Sequence, residues 1–152
     1  MKLAEALVLR ADTKKRLEQL RARLVSSALV QEGEQPPEDP QVLLVELEGL
    51  ITEFERLVIA INRTNSSAAI SEVGVLTEAL AKRDALDLKL SLLNGLVEAA
   101  SNRANRYSRT EIKLLSTVDV AVLRKRLDDS SRQRREFDAQ IQGTNWTTDL
   151  LE

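Results

Sequence analysis

The stretch DPQVLLVELEGLITEFERLVIAI, residues 39–61, decides the fold class. Leu43, Leu47, Leu50, Phe54, Leu57 and Ile61 recur at spacings of 4, 3, 4, 3 and 4 residues, the period that lines apolar side chains along one face of an α-helix. Leu44, Ile51 and Val58 form an adjoining row. The resulting face is wider than a two-stranded coiled coil needs and predicts contact with more than one neighbouring helix. Asp39 and Pro40 supply the start, a carboxylate to accept a free backbone amide and a ring whose φ is already helical. A helix over 40–61 is therefore expected, roughly 33 Å long at ~1.5 Å per residue.

Working outward, the segment before it, Gln31 to Pro40, reads as a connector, with Gly33 able to end a helix and Pro36 and Pro37 stiffening the chain. Upstream, Leu3, Ala6, Arg10, Thr13, Leu17, Leu20 and Leu24 keep helical spacing and predict a helix over 2–30 whose middle is poorly apolar. Downstream, 62–76 loses the period; 68–75 has the residues of a short strand or hairpin around Gly74. Thr77 is the expected cap of a third helix over 77–102, with Leu80, Leu86, Leu90, Leu93 and Val97 inward. Residues 103–118 are irregular again: Ile112 and Leu114 alternate with Lys113 in the manner of a strand, while the capping-box spacing of Ser108 and Glu111 makes a short helical turn the competing reading. Val118, Val122, Leu123, Leu127, Phe137 and Ile141 mark a fourth helix over 118–143, interrupted by Ser130 and Arg134. Trp146, beside two threonines, is expected to pack onto something rather than fray. The fold class is thus mainly α: an antiparallel helical bundle of long amphipathic helices with a small β element from the irregular segments, in a single domain over 1–152.

Composition narrows the chemistry. The chain is 43% hydrophobic but holds one Trp, one Tyr and two Phe, so its core is aliphatic. Cysteine and histidine are absent. That removes disulfides, thiolate nucleophiles, Cys or His metal sites and the usual neutral-pH general base. Neither a signal-peptide core nor an apolar run of membrane-spanning length is present, and a cytoplasmic protein without a membrane partner is expected. The net charge of -2 conceals an asymmetry: residues 1–30 hold seven basic and three acidic residues, whereas 31–62 hold eight acidic residues and Arg56. Antiparallel pairing of these helices would bring opposite charges together and favour that pairing over alternatives.

Three polar groups are candidate ligand-binding residues. Asn62, Arg63 and Asn65, with Thr64 between them, follow the second helix; they suit either a helix terminus or an anion pocket in which arginine supplies a bidentate grip. Arg83 lies on the apolar stripe of the third helix next to Asp84, which fits a salt bridge or a buried anion. Arg106, Tyr107, Arg109 and Lys113, with Arg103, place basic groups and one ring close together, as a phosphate or stacked-base site would. The negative overall charge opposes a nucleic-acid partner. No catalytic residues, metal ligands or cofactor motif emerge, and all five glycines are isolated.

In ordered segments along its whole length the chain resembles a family of small bacterial proteins of uncharacterised function, some of which carry the name septicolysin. The segments are Met1-Lys2-Leu3-Ala4-Glu5-Ala6-Leu7, Val30-Gln31-Glu32-Gly33-Glu34, Ile61-Asn62-Arg63-Thr64-Asn65, Leu76-Thr77-Glu78-Ala79-Leu80-Ala81-Lys82-Arg83-Asp84, Arg106-Tyr107-Ser108-Arg109-Thr110-Glu111-Ile112-Lys113 and Asn145-Trp146-Thr147-Thr148. The septicolysin label implies a pore-forming toxin. This sequence departs from that implication in lacking the cysteine of a thiol-activated toxin, a signal peptide and a long membrane-inserting strand pair. The residues themselves point to a non-enzymatic, homo-oligomeric scaffold or interaction protein. The alternatives are a protein binding a small anion or phosphate through the arginine-rich segments and, behind it, an RNA-associated helical arm.

Overall fold

A computed structural model describes residues 1–70, 74–101 and 114–152. The fold is mainly α. Among the described residues it has four helices, α1 (Leu3–Ser26), α2 (Pro40–Ser67), α3 (Leu76–Ser101) and α4 (Val120–Thr147), and two short strands, β1 (Ala69–Ile70) and β2 (Gly74–Val75). The strands pair antiparallel, Ala69 opposite Val75 and Ile70 opposite Gly74, so the β element expected around Gly74 forms. The strand-like alternation at 112–114 lies almost wholly outside the described residues.

The helix ends differ from the sequence expectation for local physical reasons. α1 stops at Ser26 rather than residue 30. The Ser26 hydroxyl bonds to the Arg23 carbonyl, and the next apolar side chains have nothing to cover them among the described residues: Leu29 is 89% exposed. α2 continues to Ser67 rather than ending at Ile61. The Thr64, Ser66 and Ser67 hydroxyls donate to the carbonyls of Ala60, Asn62 and Arg63, one turn back, which satisfies in a helix the side chains that otherwise favour loops. α3 begins at Leu76, before the expected cap Thr77; the Val75 amide is instead taken by the Glu78 carboxylate at 3.1 Å, the return half of a capping box. α4 passes through Gly143 to Thr147, and the Trp146 side chain is 60% exposed. Leu150 and Asn145, not the tryptophan, are the buried side chains of that region.

The chain forms two compact units, one of residues 1–68 with 143–152 and the other of 69–142. In the first, α1 and α2 run antiparallel. Their interface is built on Leu20, Leu43 and Leu50, with Leu17, Leu24 and Leu47 packed against them. Arg23 clamps the open end: its Nε and Nη2 donate to Glu38 at 2.9 and 2.6 Å, and its Nη1 donates to Glu46 at 3.0 Å. Arg16 and Glu53 sit 4.0 Å apart further along, so the basic first helix does meet the acidic second one. The poorly apolar middle of α1 is accommodated by Thr13, which is buried with its hydroxyl bonded to the Leu9 carbonyl at 2.9 Å. Leu44 and Ile51, expected to widen the buried face of α2, are exposed.

In the second unit α3 and α4 also run antiparallel, as their side-chain pairs show: Arg83 with Asp138, Asp87 with Arg134, Ser101 with Arg124. Leu76, Ala79, Arg83, Leu86, Leu90, Leu93 and Val97 form the inner row of α3, each buried or half-buried. Val122, expected on the inner side of α4, is exposed. Gly74 has a φ of 115°, a conformation that side-chain-bearing residues rarely adopt.

Candidate functional site

The first candidate group occupies the last turns of α2. Asn62 and Arg63 are exposed and Asn65 is half-buried, while Thr64 is buried between them. Thr64 and Arg63 both hold the C-terminal segment. The Thr64 hydroxyl accepts the Leu151 amide at 2.9 Å, and Arg63 donates to the Glu152 carbonyl at 2.8 Å. The same segment is tied on its other side to the start of α1. The Leu3 amide donates to Thr148 and the Leu150 amide to Met1, each at 2.9 Å, and Lys2 meets Asp149 at 2.8 Å. That contact keeps the Asp149 carboxyl below its ordinary range, chiefly through the hydrogen bond from Lys2. Arg63 and Thr64 therefore close a three-part clasp of α2, tail and N-terminus.

Beside the clasp lies a groove of about 500 Å³ lined by Thr52, Glu55, Arg56, Ile59, Ala60, Arg63 and Glu152. Its two arginines could hold an anion, its two glutamates oppose one, and its apolar floor is formed by Ile59 and Ala60.

Arg83 stands in the inner row of α3 with its side chain 27% exposed. One Nη faces Asp84 at 3.2 Å and the other faces Asp138 at 3.7 Å, whereas the buried Nε has no partner among the described residues. Arg134 continues the network to Asp138 at 3.7 Å and grips Asp87 with two hydrogen bonds, 2.8 and 3.3 Å. These bonds keep the Asp87 carboxyl below its ordinary range, the Arg134 hydrogen bond being the main cause, and they raise the pKa of Arg134. The arrangement is a charge network holding α3 to α4. Arg106, Tyr107, Arg109 and Lys113, with Arg103, lie outside the described residues. No group of three or more carboxylates positioned for a metal ion occurs among the described residues, and no described helix is long and apolar enough to cross a membrane.

A further feature is the outer face of α3. Leu88, Leu92 and Leu96 lie one turn apart and are 63, 67 and 43% exposed, with exposed Ala81, Ala85, Gly95 and Ala99 extending the surface. Ala81, Ala85, Leu88, Leu92, Gly95 and Ala99 follow spacings of 4, 3, 4, 3 and 4, a second heptad row two positions from the inner one. Two residues correspond to about 200° around a helix, so the two rows lie on opposite faces. Sequence reasoning that follows only the strongest row misses this one, although its signal is present in the spacing.

Residues 10–150 match a family described as "Family of unknown function (DUF6847)". The chain belongs to this family. A crystal structure described as that of a functionally unknown conserved protein from Corynebacterium diphtheriae is similar to this chain along nearly its whole length. It shows 44% sequence identity, coverage of 99% of each chain and a TM-score of 0.94. No curated protein matches. Neither finding carries the septicolysin name or a specific biochemical role.

Proposed function

We propose that this member of the DUF6847 family is a non-enzymatic helical interaction protein that works through its outer helix faces as part of a homo-oligomeric scaffold. The observation that carries the reading is the exposed Leu88-Leu92-Leu96 row. Single exposed leucines are ordinary on a protein surface, but a contiguous row in helical register is the kind of apolar patch that marks a binding surface. The described titratable groups with shifted pKa values belong to ion pairs that join structural elements, as at Arg23, Asp87, Arg134 and Asp149, rather than to a cleft suited to acid or base chemistry. A photo-reactive side chain at position 92, compared in cells with one at the exposed Arg132, tests the proposal. Covalent adducts specific to position 92 are expected; their absence would refute it.

A second reading rests on the groove beside Arg63. A small carboxylate or phosphate held by Arg56 and Arg63 fits its lining residues and the preference of guanidinium for planar, two-point contact. Titration with phosphate and with acetate, followed by calorimetry, is expected to show binding that Arg63→Gln and Arg56→Gln each weaken. Equal heats from wild type and both variants would remove this reading.

A further inference from the structure

We propose that the outer face of α3 pairs with α3 of a second copy of this chain, parallel and in register. This inference rests on the interaction-protein reading above and specifies its partner and orientation. In heptad terms Ala85, Leu92 and Ala99 occupy a positions, and Ala81, Leu88 and Gly95 occupy d positions. The seam is apolar along its length, with two central leucines that insert between side chains of a facing helix and small residues on either side that let the backbones approach. Among the described residues nothing covers this seam: every member is exposed, and a Cβ added at Gly95 would meet no atom within 4 Å. The outer face of α2 is a weaker seam, because Gly49, Thr52 and Arg56 interrupt the line from Val45 to Ile59.

Charge selects both the occupant and the orientation. Asp84 and Ser91 occupy g positions beside the seam, and Lys89 occupies an e position. In a parallel pair a g side chain faces the e side chain five residues later on the partner. Asp84 then meets the second copy's Lys89 twice, once on each side of the two-fold axis. In an antiparallel pair centred between Leu88 and Leu92, e faces e and g faces g. Lys89 would meet Lys89, and Asp84 would meet Glu98. Like charges oppose that arrangement. Asp84, which contacts Arg83 of its own helix at 3.2 Å, keeps its side chain 71% exposed and within reach of a facing helix, and Lys89 is exposed with no ion pair among the described residues. Lys82, the preceding e residue, lies 5.4 Å from the Phe137 ring within the protomer and is not needed for the contact.

Sedimentation of the full chain tests the pairing. At about 50 µM, where a micromolar-Kd dimer is largely assembled, the expected species has twice the 17.0 kDa chain mass. Leu88→Glu and Leu92→Glu, both at positions exposed in the protomer, are expected to keep the helical circular dichroism of the wild type. They should weaken association by at least about a hundredfold. Asp84→Lys and Lys89→Asp should each weaken self-association about tenfold, because both inter-copy contacts become repulsive. Mixing those two single variants should restore pairing, since each then meets an opposite charge. A wild-type monomer, or a mixture no tighter than either variant alone, would overturn the proposal. The position-92 cross-link separates the two failures. An adduct with a different protein removes the second-copy assignment and the homo-oligomeric part of the reading but leaves α3 as an interaction surface, while no adduct removes both.

Discussion

The hydroxyl of Thr64 accepts the Leu151 amide at 2.9 Å and donates to the Ala60 carbonyl at 2.8 Å, so one buried side chain joins the end of α2 to residues far along the chain. Thr64→Val preserves shape but removes both bonds. It leaves the partly buried Leu151 amide without its acceptor, a loss of about 1–3 kcal/mol. Thr64→Ser keeps the hydroxyl and should cost less. Urea melts of the two variants check the difference; equal losses would mean that the methyl group, not the hydroxyl, matters here.

The α1–α2 interface gives a second expectation. Leu50 and Leu20 are almost wholly buried and pack with Leu43. Leu50→Ala or Leu20→Ala should therefore destabilise by roughly 2–5 kcal/mol through lost burial and the cavity left behind. Leu44→Ala, on the exposed neighbouring row, should change stability by about 0.5 kcal/mol or less. Comparable losses at Leu44 and Leu50 would show that an additional contact covers Leu44 in the assembled protein.

The long amphipathic elements are the part of this protein written most clearly in its sequence. Asp39, Pro40 and the Leu43-to-Ile61 row mark where α2 begins and which face turns inward, because capping and apolar periodicity are local properties. The continuation of α2 through Asn62-Arg63-Thr64-Asn65-Ser66-Ser67 is far less legible. Those residue types favour loops on their own, and three of their hydroxyls are satisfied instead by carbonyls one turn back. The pairing of Thr64 with Leu151 cannot be read from either segment separately, since it depends on where the tail returns. Arg83 illustrates an intermediate case. Its place on an apolar row signals a special environment, but the assignment of Asp138 as its partner requires the antiparallel register of α3 and α4. Trp146 shows the limit from the other side: a large apolar ring signals packing onto something, while within this chain the smaller Leu150 is the buried side chain.

Ser27 yields an expectation that depends on a missing contact. It is buried at the end of α1, and its hydroxyl has no hydrogen-bond partner among the described residues. A buried hydroxyl without a partner costs desolvation energy. Ser27→Ala should leave stability unchanged or raise it by up to about 1 kcal/mol. A loss larger than that in urea melts would reveal an acceptor or donor outside the described residues or in an assembled form.

Acid should weaken the hairpins through their carboxylates. Asp87 is held below its ordinary range by Arg134, with a smaller contribution from Arg83, and Glu38 is held down chiefly by its hydrogen bonds from Arg23. Asp149 is lowered by Lys2 in the same sense. The sign follows from linkage. A carboxyl whose folded pKa lies below its unfolded value, near 4, stabilises the ionised folded state. That contribution is fully present above about pH 4 and disappears as pH falls through the folded pKa values. The arginines remain protonated throughout, so the carboxylates set the transition. Urea midpoints measured from pH 7 to pH 2 should accordingly be flat near neutrality and then decline below about pH 4. Asp87→Asn should be less stable than wild type at pH 7 and show a shallower acid decline, because it lacks one of the groups that must take up a proton. Asp138 faces Arg83 and Arg134 in the same network, so some acid sensitivity should survive in that variant. An Asp87→Asn curve parallel to the wild-type curve across the acid range would show that the Asp87–Arg134 pair contributes nothing to the pH dependence.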